Sequence, residues 1–268
     1  MPTSIQNDTA WLTSIEQEVE KFCSKYRIVY AVNKRERSAA FEIGCLHMLL
    51  RNYESVGKIE PQNLLDNGAF RYLTTPSGNP DNFSWIKVTI DKSEYEIRQQ
   101  VRVKSHWHED IAFCPDMVVL KANQNISSEI DENFANGKRP FYSVSSESVI
   151  SAHECKSLSP FPELLVSFVG MFQVAHKWYD PKNPTEYIHK NGKHLAPCLF
   201  IGGDTRALHF KMIQALEQVF PINIVTGLHY SRQKLRRGGD AAKYIDLDEK
   251  PSNKKRRSKR RRRAIQID

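Results

Sequence analysis

The sequence lacks the features that mark several classes of protein. It has no run of about 18 apolar residues, so a membrane-spanning helix is not expected. Its first twenty residues are polar and acidic, without the basic and apolar regions of a secretory signal. The five cysteines are widely spaced and form no CxxC pair, which argues against a disulfide framework and against a zinc ribbon. These absences favour a soluble protein of a reducing compartment, and we expect it in the cytoplasm.

The positive charge is concentrated in one short segment. The chain has 39 Lys and Arg against 31 Asp and Glu, a net charge of +8, and the segment KKRRSKRRRR at 254–263 accounts for the excess. Such a run stays solvated because its charges repel each other, and it attracts phosphate backbones through counterion release. We therefore expect its basic side chains to bind nucleic acid: Lys254, Lys255, Arg256, Arg257, Lys259, Arg260, Arg261, Arg262 and Arg263.

Hydrophobic periodicity predicts an α/β fold with a mixed central sheet flanked by helices. The predicted helices cover residues 11–26, 35–53, 162–178 and 206–220. The predicted strands cover residues 86–90, 95–104, 110–121 with a break at Pro115, 148–157, 195–201 and 222–226. Strands come in succession first and alternate with helices later, which is typical of a mixed sheet. We expect one domain over residues 1–235 and a disordered basic tail over residues 236–268.

Three charged side chains at predicted strand ends are suited to phosphodiester chemistry. Asp116 precedes an apolar run, and Glu154 and Lys156 stand two residues apart on a strand, so they project to the same side. Charged groups at the end of a buried strand are costly unless they pair or serve a site. Two carboxylates together form the hard oxygen site that Mg²⁺ prefers, and a nearby lysine could hold a metal-bound water or help to deprotonate it.

The sequence PD at 115–116 followed by ECK at 154–156 resembles the PD-(D/E)xK signature of the restriction-endonuclease-like nucleases. The order of predicted elements over roughly residues 35–228 is also similar to that family's core of helix, three strands, helix and strand. The resemblance therefore implies a restriction-endonuclease-like core for this part of the chain.

The resemblance also implies a role for each residue of the motif. Asp116 and Glu154 would bind Mg²⁺ or Mn²⁺, the backbone carbonyl of Cys155 would be a further ligand, and Lys156 would be the catalytic lysine. In that family a glutamate of the first core helix often joins the metal site. Glu42 lies within the apolar stretch of the matching helix and is the candidate for this role.

Several alternatives stay open at this stage. Thirty-seven residues separate Asp116 from Glu154, longer than usual for the family, and the polar segment 122–140 would account for the excess. Asp110 could replace Asp116, because an even spacing on a regular strand gives both the same face. Glu154 and Lys156 could instead form an ordinary ion pair at a strand edge, and Glu42 could face solvent.

A zinc site is a further alternative. His106 and His108 have a spacing that could hold Zn²⁺, but no cysteine lies near them in the sequence. We therefore expect them to be exposed strand histidines.

The resemblance implies a metal-dependent endodeoxyribonuclease, of the kind used in restriction, anti-phage defence or mobile elements. Two other functions remain open: a catalytically silent nucleic-acid-binding module, or a nuclease subunit that is active only with a partner helicase or ATPase. The chain has no P-loop, so ATP-driven work would have to come from such a partner. Concerted cutting of both DNA strands would need two active sites, and hence a homodimer.

Overall fold

The computed structural model describes residues 4–31, 37–76, 78–108, 110–129, 140–184, 186–229, 236–237 and 242–247. Four helices lie within these ranges: α1 (Ser4–Tyr26), α2 (Arg37–Glu54), α3 (Pro162–Ala175) and α4 (Ala207–Val219). The strands are β1 (Val29–Ala31), β2 (Lys58–Gln62), β3 (Ala69–Arg71), β4 (Trp85–Ile90), β5 (Ser93–Gln99), β6 (Arg102–Lys104), β7 (Ala112–Phe113), β8 (Met117–Lys121), β9 (Ser127–Glu129), β10 (Phe141–Ser145), β11 (Val149–Lys156), β12 (Ile188–His189), β13 (His194–Leu195), β14 (Cys198–Ile201), β15 (Asn223–Thr226), β16 (Arg236–Arg237) and β17 (Tyr244–Ile245).

The largest sheet in the described part of the chain has eight strands, in the order β16-β15-β14-β11-β8-β5-β4-β2. Neighbouring strands from β2 to β11 are antiparallel, whereas β11, β14 and β15 are parallel to one another. Parallel neighbours need crossover connections, and α3 and α4 are contained in these two connections. The expected α/β class with a mixed central sheet is therefore confirmed.

Helices cover both faces of this sheet. Met117 and Val119 of β8 lie in the same core cluster as residues of α1 and α2. Val118 and Leu120 point to the opposite face, into a cluster that includes Ala175 of α3. Because both faces are covered, β8 reads in the sequence as an unbroken apolar run rather than as an alternating pattern.

Helix α2 lies against one face of the large sheet, and α1 packs against α2. Its residues Ala39, Ile43, Leu46 and Leu50 recur at helical spacing and are all buried. The helix lies against β2 and β11, so Glu42, which is partly buried, is carried toward the sheet rather than into solvent.

The predicted strand over residues 95–104 is split in the structure. Gln100 has a φ of 54°, in the left-handed region, and this turn takes the chain out of the large sheet. Strand β6 then joins a second sheet in the order β7-β6-β10-β9, which includes part of the polar segment 122–140. The break predicted at Pro115 is confirmed, because β7 ends at Phe113 in the second sheet and β8 begins at Met117 in the large sheet.

The fold continues past residue 235, where the composition suggested the domain boundary. Strand β16 pairs with β15 of the large sheet, and β17 pairs with β12 and β13 in a small separate sheet. Ile245 and Asp246 are buried. These strands have only two residues each, too few to give a period in the sequence. The tail segment 254–263 lies outside the described residues. None of the described helices combines the length and apolarity needed to cross a membrane.

Candidate active site at the edge of strands β8 and β11

The antiparallel pairing of β8 with β11 brings Asp116 and Glu154 together. Met117 lies opposite His153 in this ladder, and Val118 lies opposite Ala152. Continuing the same register by one residue places Asp116 opposite Glu154. Directly opposed residues in an antiparallel pair have Cβ atoms about 4.5–5.5 Å apart. The start of β8 and the end of β11 thus lie side by side, at one end of these two central strands.

Asp116, Glu154 and Lys156 form a connected cluster, called here the carboxylate–lysine cluster. The Lys156 ammonium contacts Oε1 of Glu154, and its Nζ lies 3.6 Å from Oδ2 of Asp116. The backbone N–H of Cys155 donates a 2.7 Å hydrogen bond to the same Oδ2 atom. The Asp116 carboxylate is therefore held by the neighbouring strand β11, through the backbone of Cys155 and the side chain of Lys156.

Glu42 reaches this cluster through Gln100. The side-chain amide of Gln100 donates to Oδ1 of Asp116 at 2.9 Å and to Oε2 of Glu42 at 3.3 Å. The backbone N–H of Gln100 donates to the carbonyl of Asp116 at 3.2 Å. The Cys114 thiol lies 3.6 Å from Oε1 of Gln100, which fixes the orientation of the amide. The structure therefore brings all three predicted acidic residues to one place.

No sequence pattern singled out Gln100. A glutamine in the middle of a predicted strand is ordinary, and a left-handed backbone at this position has no glycine to mark it. Its role becomes visible only when β5, β8 and α2 are placed in space.

Burial and crowding set the protonation of the cluster. Burial, followed by the charge of Asp116, raises the pKa of Glu42 to about 8 and that of Glu154 to about 7. Burial raises the pKa of Asp116 as well, although Lys156 and two N–H donors act in the opposite direction. Burial lowers the pKa of Lys156, but the neighbouring carboxylates outweigh it, so the net shift is upward and the ammonium is charged at neutral pH.

The donors at this edge fit a hard divalent cation. Oε2 of Glu154 is buried, and no described residue donates a hydrogen bond to it. A bound divalent cation would favour the charged carboxylates and so offset the burial and crowding that raise the pKa values of Glu42 and Glu154. Among the described residues no three His, Cys, Asp or Glu side chains are arranged to hold a metal ion by themselves. The fit therefore depends on the Asp116 and Glu154 carboxylates together with backbone oxygen and water.

Cys155 can contribute only its backbone to such a site. Its side chain is buried in the core cluster formed with α1 and α2, where it neighbours Cys45. Glu154 and Lys156, on either side of it, project to the other face of the strand.

Other candidate residues lie away from the cluster. The side chain of Asp110 is 87% exposed and lies 3.5 Å from His108, so it does not join Asp116. His106 hydrogen bonds through Nδ1 to the carbonyl of Val174 at 3.0 Å. The histidine pair therefore has no zinc-like arrangement within the described residues.

No protein-family model, no curated protein and no solved structure matches the chain. The carboxylate–lysine cluster and its surroundings are therefore the basis of the functional proposal.

Proposed function

We propose that the chain is a metal-dependent nuclease that hydrolyses DNA phosphodiester bonds at the carboxylate–lysine cluster. One observation carries this proposal: Asp116, Glu154 and Lys156 converge at one sheet edge, and a buried Glu154 oxygen there lacks a hydrogen-bond donor among the described residues. An ordinary ion pair would not need a third charged group or an unpaired buried oxygen.

Asp116 and Glu154, with the Cys155 carbonyl, would hold Mg²⁺ or Mn²⁺, and the bound cation would neutralise phosphate charge and supply an acidified water as nucleophile. Lys156 is protonated at neutral pH, so it acts as a cation and a hydrogen-bond donor rather than as a base. Its position beside both carboxylates allows it to orient a water and to stabilise charge on the phosphate oxygens. Gln100 fixes the rotamers of Asp116 and Glu42.

A plasmid-nicking assay tests the proposal. The full chain should nick supercoiled DNA with Mg²⁺ or Mn²⁺ and should stop when EDTA is added. Glu154→Gln and Lys156→Ala should each lower the rate on the order of 100-fold or more, because the first removes a metal ligand and the second removes the ammonium that stabilises charge on the phosphate.

The surface pair Glu147 and Lys177 supplies a matched control. It joins the same two residue types in an exposed contact away from the cluster. Glu147→Gln and Lys177→Ala should therefore nick at the rate of the parent. Full activity in Glu154→Gln would disprove the assignment of the site. Metal-independent DNA binding with no cutting by any variant would favour the silent binding module instead.

A further inference from the structure

A hairpin extends from the carboxylate–lysine cluster. It consists of β6, β7 and the described residues between them, 105–108 and 110–111, and is called here the arm. The chain leaves the large sheet at Gln100 to form β6, and it returns to that sheet at Asp116 after β7. Both ends of the arm therefore lie at the cluster. Whatever the arm binds is therefore held beside the candidate site.

The base of the arm carries an arginine close to the cluster. Val103 pairs with Phe113, so the same register places Arg102 opposite Cys114, whose thiol contacts Gln100. The Arg102 guanidinium lies over the Phe141 ring, 3.8 Å from its centroid. Stacking occupies a face of the guanidinium and leaves its in-plane N–H donors for another group. No described residue accepts a hydrogen bond from its buried Nε.

The tip of the arm presents an exposed tryptophan on an ordered turn. Trp107 is 61% exposed. The Ser105 hydroxyl accepts hydrogen bonds from the N–H groups of Trp107 at 2.9 Å and His108 at 3.4 Å, and the N–H of Ser105 donates to the carbonyl of Ile111 at 2.7 Å. The hydrogen bond between His106 and the Val174 carbonyl holds this turn against α3. A large aromatic ring held outward by such a turn is suited to stacking on a flat ligand.

We propose that the arm binds a single-stranded stretch of the nucleic acid, with Arg102 on a phosphate next to the one being cut and Trp107 stacked on a base. The proposal rests on the proposed function and adds the form of the substrate. A tryptophan can stack only on a base whose face is open, which a paired base inside a duplex does not offer. Arginine donors and aromatic platforms are the usual components of single-strand binding sites.

Binding is measured with the Glu154→Gln chain and a fluorescein-labelled 20-nucleotide DNA, single-stranded or as a duplex, across a series of NaCl concentrations. Trp107→Ala should weaken single-strand binding by about 5- to 100-fold, and Trp107→Phe should retain most of the affinity. Arg102→Gln should reduce the slope of log K against log[NaCl] by about 0.7, because one phosphate contact is lost. Val29→Ala, which removes another exposed apolar side chain, should change neither quantity.

Tryptophan fluorescence gives a second measurement that does not depend on Arg102. Trp107 is the most exposed of the four tryptophans, so stacking on a base should quench its emission. The quench should disappear in Trp107→Phe.

Three results would overturn the proposal for the arm: unchanged single-strand affinity in Trp107→Ala, an unchanged salt slope in Arg102→Gln, or a loss of duplex affinity in Trp107→Ala as large as its loss of single-strand affinity. If the parent chain cuts DNA and Trp107→Ala binds the single strand with full affinity, the proposal for the arm is rejected and the proposed nuclease function stands. Weakened binding in the arm variants of a chain that never cuts would reject the nuclease and leave the arm.

Discussion

At the scale of single residues, Gln100 is the side chain on which the arrangement of the site depends. Its amide joins Asp116 to Glu42, and its backbone is held in the left-handed region. Groups that orient metal ligands typically change metal affinity or activity by about 10- to 100-fold when removed. Gln100 should therefore act as a positioning residue and not as a ligand.

Gln100→Ala should raise the Mg²⁺ concentration needed for half-maximal nicking by about 10-fold or more, with a smaller effect on the rate at saturating Mg²⁺. Gln100→Gly should show the same increase, because it also lacks the amide although it relaxes the left-handed backbone. Gln99→Ala is the control, since the neighbouring amide has no hydrogen-bond partner among the described residues. Normal Mg²⁺ dependence in Gln100→Gly would mean that the left-handed backbone at this position, and not the side-chain amide, sets the Mg²⁺ requirement.

At the scale of elements, α3 is joined to β11 by a buried histidine. Nε2 of His176 accepts a 3.0 Å hydrogen bond from the N–H of Ala152, and Nδ1 donates to the carbonyl of Phe172 at 2.7 Å. These partners require the neutral ring with its proton on Nδ1. The pKa of His176 is lowered to about 4, mainly by burial; the Phe172 carbonyl opposes this shift and the nearby His106 adds to it. Protonation would break the contact with Ala152.

His176 should therefore make the fold sensitive to acid. Its folded pKa is below its unfolded value, so its contribution is fully present above about pH 6.5 and is lost as the pH falls toward 4. The free energy of urea unfolding should fall between pH 7 and pH 5 by about 2 kcal/mol more in the parent than in His176→Gln. His108→Gln changes an exposed histidine and should keep the parent's pH dependence. Equal pH dependence in the parent and His176→Gln would contradict this account.

The sequence predicted the elements that have a strong period and the break at Pro115, but it missed the break at Gln100, where the chain leaves the large sheet. The apolar spacing of α2 and the unbroken run of β8 follow directly from burial on one face or on two. The break at Gln100 has no local signal, because the left-handed turn there is imposed by hydrogen bonds to residues distant in the sequence. The motif selected Asp116, Glu154 and Lys156, but the contacts of Gln100 and Arg102 depend on packing between elements.

At the scale of the whole molecule, the excess positive charge lies far along the sequence from the residues of the candidate site. Nine basic residues lie between 254 and 263, while the preceding 253 residues carry 30 basic and 30 acidic side chains. A nearly neutral body has little general attraction for DNA, whereas a basic segment attracts any phosphate backbone. Capture of the substrate should therefore depend on the tail, and the chemistry on the carboxylate–lysine cluster.

We consider a variant in which serine replaces all nine basic residues of 254–263. For duplex DNA, the slope of its log K against log[NaCl] should be several units shallower than that of the parent, because each phosphate contact contributes about 0.9. Nicking should show a higher KM and an unchanged kcat, since the tail binds the substrate and the transition state equally. The difference in KM between the parent and this variant should disappear at high salt, where screening removes the tail's attraction from the parent as well. A lower kcat at saturating DNA would instead place tail residues at the reacting phosphate, and an unchanged salt slope would show that the body captures DNA without the tail.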